Sequence, residues 1–264
     1  MTFELPDVKT NEEALSEVLI FSKNNNYTIE TNENDVVLYN PTNNLKLLLR
    51  KNTSDFHVFT EIFIKKDYQS LIENYQKYSN NINPKVIIDI GANIGCASLY
   101  FKQNYPEATM VCIEAEKNNF LSLKHNIELN NSVDSYKNIY LQHNAFWITE
   151  EDLMIEENFR DGRDWAFAAR PNAQKSTQTI KGLTIQNILE KYNFSKIDIL
   201  KIDIEGGEKW ILEDELTMNI IQKNVNTLFI EVHEEVITMK KTAEILANFG
   251  FKTLTNDALI FGYK

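Results

Sequence analysis

The run Val86-Ile87-Ile88-Asp89-Ile90-Gly91-Ala92-Asn93-Ile94-Gly95 decides the fold. Its first half is dominated by β-branched residues, the pattern of a parallel strand covered on both faces. Gly91 then permits a turn with unusual dihedrals and leaves no side chain between backbone and ligand. Asn93 tolerates turn geometry, and Gly95 lets the following helix pack close to the strand. Such a strand–turn–helix opens a crevice at the carboxyl end of the strand, where open α/β sheets take cofactors.

Charge decides which cofactor. A dinucleotide turn is spelled G-x-G-x-x-G, but here Asn93 stands in the middle and Asp89 lies two residues before Gly91. A carboxylate there repels a diphosphate and attracts an ammonium or a sulfonium. S-adenosylmethionine carries both cations and no phosphate. The run Thr109-Met110-Val111-Cys112-Ile113-Glu114 reads as the next strand. It ends in an acid about twenty residues past the turn, where a carboxylate accepts ribose hydroxyls. The competing reading is an ordinary βαβ turn with no ligand.

With 264 residues, 43% of them hydrophobic, the chain has room for one large α/β domain and an extension. A net charge of −11 argues against a nucleic-acid partner or an anionic membrane surface. Cys96 and Cys112 fall in core elements and read as buried thiols. No basic-then-apolar leader and no apolar run of membrane-spanning length is visible, so the expected compartment is the cytoplasm.

Residues 1–83 read as an N-terminal extension of helices and short strands that contributes to the substrate side. Within it, Asn11 to Phe21 and Tyr68 to Tyr78 have helical spacing, and Asp35 to Asn40 and Leu45 to Lys51 flank a turn at Pro41. Residues 84–264 alternate strands and helices, which implies a Rossmann-like, mostly parallel seven-stranded sheet with an antiparallel edge hairpin near Lys252–Leu254 and Leu259–Phe261. The stretch near 148–181 breaks this rhythm and reads as a lid-like insertion.

A second informative run is Asp198-Ile199-Leu200-Lys201-Ile202-Asp203-Ile204-Glu205-Gly206-Gly207-Glu208. Strand alternation puts Asp203 and Glu205 on one side if the strand continues that far, and the same spacing relates Glu231 to His233. Four titratable groups on adjoining strand ends are costly to bury without a task. The plain reading of Glu205-Gly206-Gly207 is a helix start that favours acids. His233 has three readings: a satisfied structural histidine, a general base for a hydroxyl proton, or a ligand to a divalent metal beside Asp203 and Glu231.

On these residues the chain resembles the FkbM family of class I S-adenosylmethionine-dependent methyltransferases. The matching pieces are Ile88 to Gly95, Glu114 with the Asn126-Ile127-Glu128-Leu129-Asn130 helix end, Leu200 to Glu208, and Ile230-Glu231-Val232-His233. Upstream, Arg50 to Asp55, Val58-Phe59-Thr60-Glu61-Ile62 and Tyr68 resemble the family's lead-in, so the likeness runs from about Leu45 to Gly262. The resemblance implies that Asp89, Gly91, Asn93 and Gly95 line the methionine and ribose side of the cofactor. It implies that Glu114 binds the ribose, that Asn144 and Ala145 sit near the adenine, and that Asp203 and Glu205 face the reacting end. It also implies O-methylation of a hydroxyl on a sugar, glycan or secondary metabolite. Ala115 and Gln186 depart from the family, which commonly has proline and aspartate there.

For the chemistry, His233 is the first choice of base, Glu205 the second, and Glu231 an orienting group. For the acceptor, Arg163 and Trp165 lie in an aromatic and arginine-rich segment suited to stacking on a sugar and pairing with an anion. Thr53, Asp55 and His57 form the candidate opposite wall. The expected partner is a small molecule or glycan, and a homodimer is compatible with the reading. An NAD-dependent oxidoreductase, or a member that binds the cofactor without transferring methyl, are the alternatives.

Overall fold

The computed structural model describes residues 10–79, 81–156, 168–171 and 179–264. Helix α1 (Asn11–Asn24) starts at a reciprocal cap between Thr10 and Glu13. It is followed by a three-stranded antiparallel sheet of β1 (Thr28–Thr31), β2 (Asp35–Asn40) and β3 (Leu45–Arg50). Val36 and Leu38 on β2, and Leu45, Leu47 and Leu49 on β3, point inward with period two and are buried. Strand β1 is short and mostly exposed, so no apolar alternation announces it. Helix α2 (Asp55–Phe59) runs into a π-helical turn, Thr60–Lys65, and Lys66 ends it in the left-handed conformation (φ 60°) before α3 (Gln69–Tyr78).

The main domain proceeds through β4 (Val86–Ile90), α4 (Cys96–Asn104), β5 (Thr109–Glu114), α5 (Lys117–Asn130) and β6 (Ile139–His143). Four short strands come next: β7 (Ala145–Phe146), β8 (Asp152–Glu156), β9 (Ala168–Arg170) and β10 (Thr179–Leu183). They form a sheet of their own, ordered β7-β10-β8-β9. The chain then continues through α6 (Ile185–Tyr192), β11 (Ile197–Ile202), α7 (Glu208–Glu213), α8 (Glu215–Asn224), β12 (Val225–Glu231), α9 (Met239–Asn248), β13 (Lys252–Asn256) and β14 (Leu259–Tyr263).

The seven-stranded sheet has the order β13-β14-β12-β11-β4-β5-β6. Its pairs from β6 to β12 are parallel, and β14 and β13 close the edge antiparallel. The strand order reverses between β4 and β11, so the ligand crevice of an open sheet falls at their carboxyl ends. Alternation sorts side chains into two cores: Ile87, Met110, Cys112 and Phe229 face one, and Ile88, Val111, Leu200 and Ile230 the other. The first core also contains the extension, through Leu47, Phe59 and Tyr75 among others.

Two asparagines of α5 join the extension to the domain. Asn126 accepts the Leu48 N–H at 2.7 Å and donates to Leu48 O at 3.1 Å and Ile94 O at 2.9 Å. Asn130 accepts the Lys46 N–H at 2.9 Å and donates to Lys46 O at 2.7 Å. Their amides offer β3 a donor and an acceptor at alternate residues, as a neighbouring strand would, and so cover its free edge.

The strand in the run Asp198 to Glu208 ends at Ile202, and the chain leaves the sheet there. Glu205 takes φ 51° and Gly206 φ 83°, so strand alternation does not extend to Asp203 and Glu205.

Candidate active site

A cavity of about 1080 Å³ opens at the carboxyl ends of β4, β5, β11 and β12. Gly91, Ala92, Asn93, Glu114, Asn144 and Ala145 line one part. Asp203, Glu205 and Glu231 line another, and Thr60, Glu61 and Tyr68 of the extension form a facing wall.

Backbone geometry explains the glycine turn. Gly91 has φ 72°, and a Cβ built there would lie 1.6 Å from the carbonyl oxygen of Asp203. Only glycine lets β4 and the end of β11 meet this closely. The turn's amides are spent internally. Gly91 and Ala92 N–H both donate to Ile113 O at 3.0 Å, and Asn93 N–H donates to Glu114 Oε2 at 2.8 Å. Glu114 Oε1 accepts the Glu116 N–H at 2.8 Å. Burial pushes the Glu114 carboxyl up to about 7 against those two hydrogen bonds. Asn93 is left-handed (φ 49°), and its Oδ1 has no hydrogen-bond partner among the described residues.

Two members of the expected cofactor set stand elsewhere. Asp89 is 0% exposed and lies behind the cavity wall, where Ser98 Oγ donates to Oδ2 at 2.5 Å and Lys201 Nζ lies 3.1 Å from Oδ1. Its charge is answered inside the protein, so it is not the group that draws a cation to the turn. Gly95 also lies off the cavity lining. It is constrained by φ 92° and by Leu123 of α5, whose Cδ1 would be 2.8 Å from an added Cβ, rather than by the strand.

The negative lining comes from other carboxylates. Glu231, the last residue of β12, has its carboxyl pushed up to about 8, by the nearby Asp203 charge and by burial. Glu61 is pushed up to about 7, chiefly by burial. Asp203, Glu231 and His233 offer ligand-type atoms within 4.8 Å of one another.

His233, the first choice of base, does not line the cavity. It is 2% exposed. Nδ1 lies 3.0 Å from Glu208 Oε1, and Nε2 lies 3.3 Å from Glu205 Oε2. Burial alone would lower its pKa, but the two carboxylates outweigh burial and push it up to about 11. An imidazolium between two acids has no lone pair with which to take a proton. Glu231 and Glu205 line the cavity, and His233 lies behind them.

The acceptor wall also differs. Asp55 is 0% exposed, with Arg50 Nε donating to Oδ2 at 2.9 Å and an Arg50 terminal nitrogen to Oδ1 at 2.8 Å. Thr53 Oγ1 donates to Arg50 O at 3.0 Å. These two residues build the bend between β3 and α2, while His57, one turn on, lines the cavity. Arg163 and Trp165 lie outside the described residues.

Glu61, Tyr68 and Lys201 line the cavity without having been expected there. Lys201 had a legible signal: a charge inside the apolar run Ile199-Leu200-Lys201-Ile202 demands a buried partner. Glu61 stands in the run that resembles the family's lead-in, but the π-helical turn that carries it follows from packing.

The chain resembles proteins named as methyltransferases. Residues 89–253 match the family model for the methyltransferase FkbM domain. A methyltransferase of Sordaria araneosa, sdnD, is 28% identical over a match covering 51% of this chain and 64% of that protein. Methyltransferase 1 of Beauveria bassiana is 26% identical over 48% of this chain and 56% of that one. The chain thus spans less than two thirds of the length of these relatives. Among solved structures, the METTL16 MTase domain superposes with a TM-score of 0.50 at 12% identity, covering 96% of this chain and 90% of that one, a likeness of fold alone. The fold is the Rossmann-like one of class I methyltransferases, and with its family model matched over more than half its length, the chain belongs to the FkbM methyltransferase family.

Proposed function

We propose that this protein transfers the methyl group of S-adenosylmethionine to a hydroxyl oxygen of a sugar, glycan or secondary metabolite, with Glu231 as the base. The carrying observation is the turn whose Gly91, Ala92 and Asn93 amides all donate inward. A dinucleotide pyrophosphate needs free N–H groups at that turn, which speaks against the NAD-dependent alternative. A nucleoside with ribose hydroxyls and a cationic tail needs acceptors, and Glu114, Asn93 Oδ1 and the acids around Asp203 supply them.

The bound donor supplies an electrophilic methyl group on a sulfonium. The protein's task is to align the acceptor oxygen, since orientation can account for several kcal/mol of barrier. Glu231 sits at the cavity with a carboxyl titrating at about 8, a range suited to taking a hydroxyl proton near neutrality. Glu61 and Tyr68 face it from the extension, so residues 1–83 supply the acceptor wall and residues 84–264 the donor site. Lys201 and His233 already bring positive charge among the acids, and this reading calls for no divalent ion. A cavity-lining carboxyl raised toward neutral pH also favours catalysis over a binding-only role.

The test is calorimetry with S-adenosylmethionine and NAD, followed by transfer of labelled methyl groups to a panel of sugars and hydroxylated metabolites. Uptake of the dinucleotide without the sulfonium compound overturns the proposal.

A further inference from the structure

Lys201 is buried, and the mechanism above uses nothing of it but its charge. Its side chain is 3% exposed. Nζ donates to Gly91 O at 2.7 Å and lies 3.1 Å from Asp89 Oδ1 and 3.3 Å from Asp203 Oδ2. An ammonium has three donors, and three acceptors surround it. Burial alone would lower the Lys201 pKa, but Asp89, Tyr68 and Asp203 outweigh it and push it up, so the clamp stays charged.

We propose that Lys201 is a positioning residue for the methyl donor, fixing the Gly91 carbonyl and one oxygen of Asp203 so that the turn and the acid keep the arrangement donor binding requires. The inference rests on the S-adenosylmethionine reading. Its geometry is tight. Asp203 N–H donates to Ile90 O at 3.1 Å, and a Cβ at Gly91 would meet Asp203 O, so β4 and β11 touch at this point. Holding the Gly91 carbonyl sets the plane of the Gly91–Ala92 peptide and hence the direction of the Ala92 N–H toward Ile113 O. Holding Asp203 Oδ2 on the lysine leaves Oδ1 of a cavity-lining residue for the ligand. Lys201 and Asp89 are register partners on neighbouring parallel strands, so one side chain spans the buried acid, the turn and the open acid.

The rival account is that Lys201 merely neutralises Asp89. The double variant Asp89→Asn with Lys201→Met separates the two, because it removes the buried charge together with its counterion. The readouts are the thermal midpoint and the affinity for S-adenosylhomocysteine. A positioning role predicts a variant that still melts cooperatively, with affinity weakened about tenfold or more, the scale of a lost charge-assisted hydrogen bond. Affinity within about twofold of wild type overturns the proposal. Should the double variant not fold, Lys201→Arg keeps a charge beside Asp89 but spreads its donors over a planar fork. The same loss of affinity is then expected, and wild-type affinity in that variant overturns the proposal. If the wild-type protein itself takes up no S-adenosylhomocysteine, the cofactor reading fails before the role of Lys201 is reached.

Discussion

His233 Nδ1 lies 3.0 Å from Glu208 Oε1, the same oxygen that accepts the Ile204 N–H at 2.8 Å. One carboxylate oxygen thus ties the segment after β12 to the segment after β11. Between these ties Glu205 holds a left-handed conformation, φ 51°, which a non-glycine residue keeps only when its surroundings impose it.

His233→Gln should therefore destabilise the protein by about 3–5 kcal/mol, the cost of breaking a buried ion pair from one side. The sign with pH follows from a folded pKa of about 11 against an ordinary 6.5. The charged histidine's contribution is fully present below the ordinary value and is lost as pH rises through the folded one. Urea denaturation of wild type and variant should show a gap that narrows on the alkaline side. A gap that does not change with pH would contradict a charged His233.

Glu231→Gln should lower turnover by about two to four orders of magnitude while donor affinity changes little. With a base titrating at about 8, wild-type kcat/KM should rise with pH and level off above that value. The same raised carboxyl contributes stability below its ordinary 4.5 that is lost as pH rises through about 8. The variant should accordingly melt higher than wild type in mild alkali and alike in acid. Unchanged turnover would remove Glu231 from the chemistry.

Gly91→Ala and Gly250→Ala make a matched pair, since both glycines have positive φ (72° and 81°). At Gly250 the nearest atom to an added Cβ is Gln222 Nε2 at 3.8 Å, whereas at Gly91 it is backbone at 1.6 Å. Gly250→Ala should cost about 1–2 kcal/mol in backbone strain alone. Gly91→Ala should cost more than about 4 kcal/mol or prevent folding. Similar melting temperatures for the two would refute the close approach of β4 and β11.

Asn126→Ala strips partners from Leu48 N–H, Leu48 O and Ile94 O. A loss of about 2–4 kcal/mol is expected, since buried polar groups are left without hydrogen bonds. Hydrogen exchange should show the amide of Leu48 exposed first. Protection of that amide in the variant would mean the asparagine does not carry the junction.

Chelation tests the charge balance of the acidic end. With Lys201 and His233 already among Asp203, Glu205 and Glu231, activity should survive EDTA and gain nothing from added magnesium. A strict metal requirement would show that Asp203, Glu231 and His233 give up these ion pairs to hold an ion.

Local patterns carried much of this architecture. Strands β4 and β5, the glycine turn and the closing hairpin of β13 and β14 lie where apolar runs and turn residues announce them, because burial on a pleated sheet imposes those patterns directly. The small sheet β7-β10-β8-β9 shows in the sequence only as an interruption, its strands being two to five residues long. Asn126 and Asn130 were legible as a motif but not as the edge of a sheet, since their partners on β3 lie 78 and 84 residues away.

Short windows, read with the periods of helix and strand, suffice for the sheet, the turn at Gly91 and the presence of many carboxylates near strand ends. Which of those carboxylates face the cavity follows from packing between segments far apart in the chain. Asp89 and His233 have suitable chemistry, but each is enclosed by charges brought from other strands and loops. Whether a titratable group is base, ligand or ion pair depends on what folding packs against it, and that neighbour is seldom close in the chain.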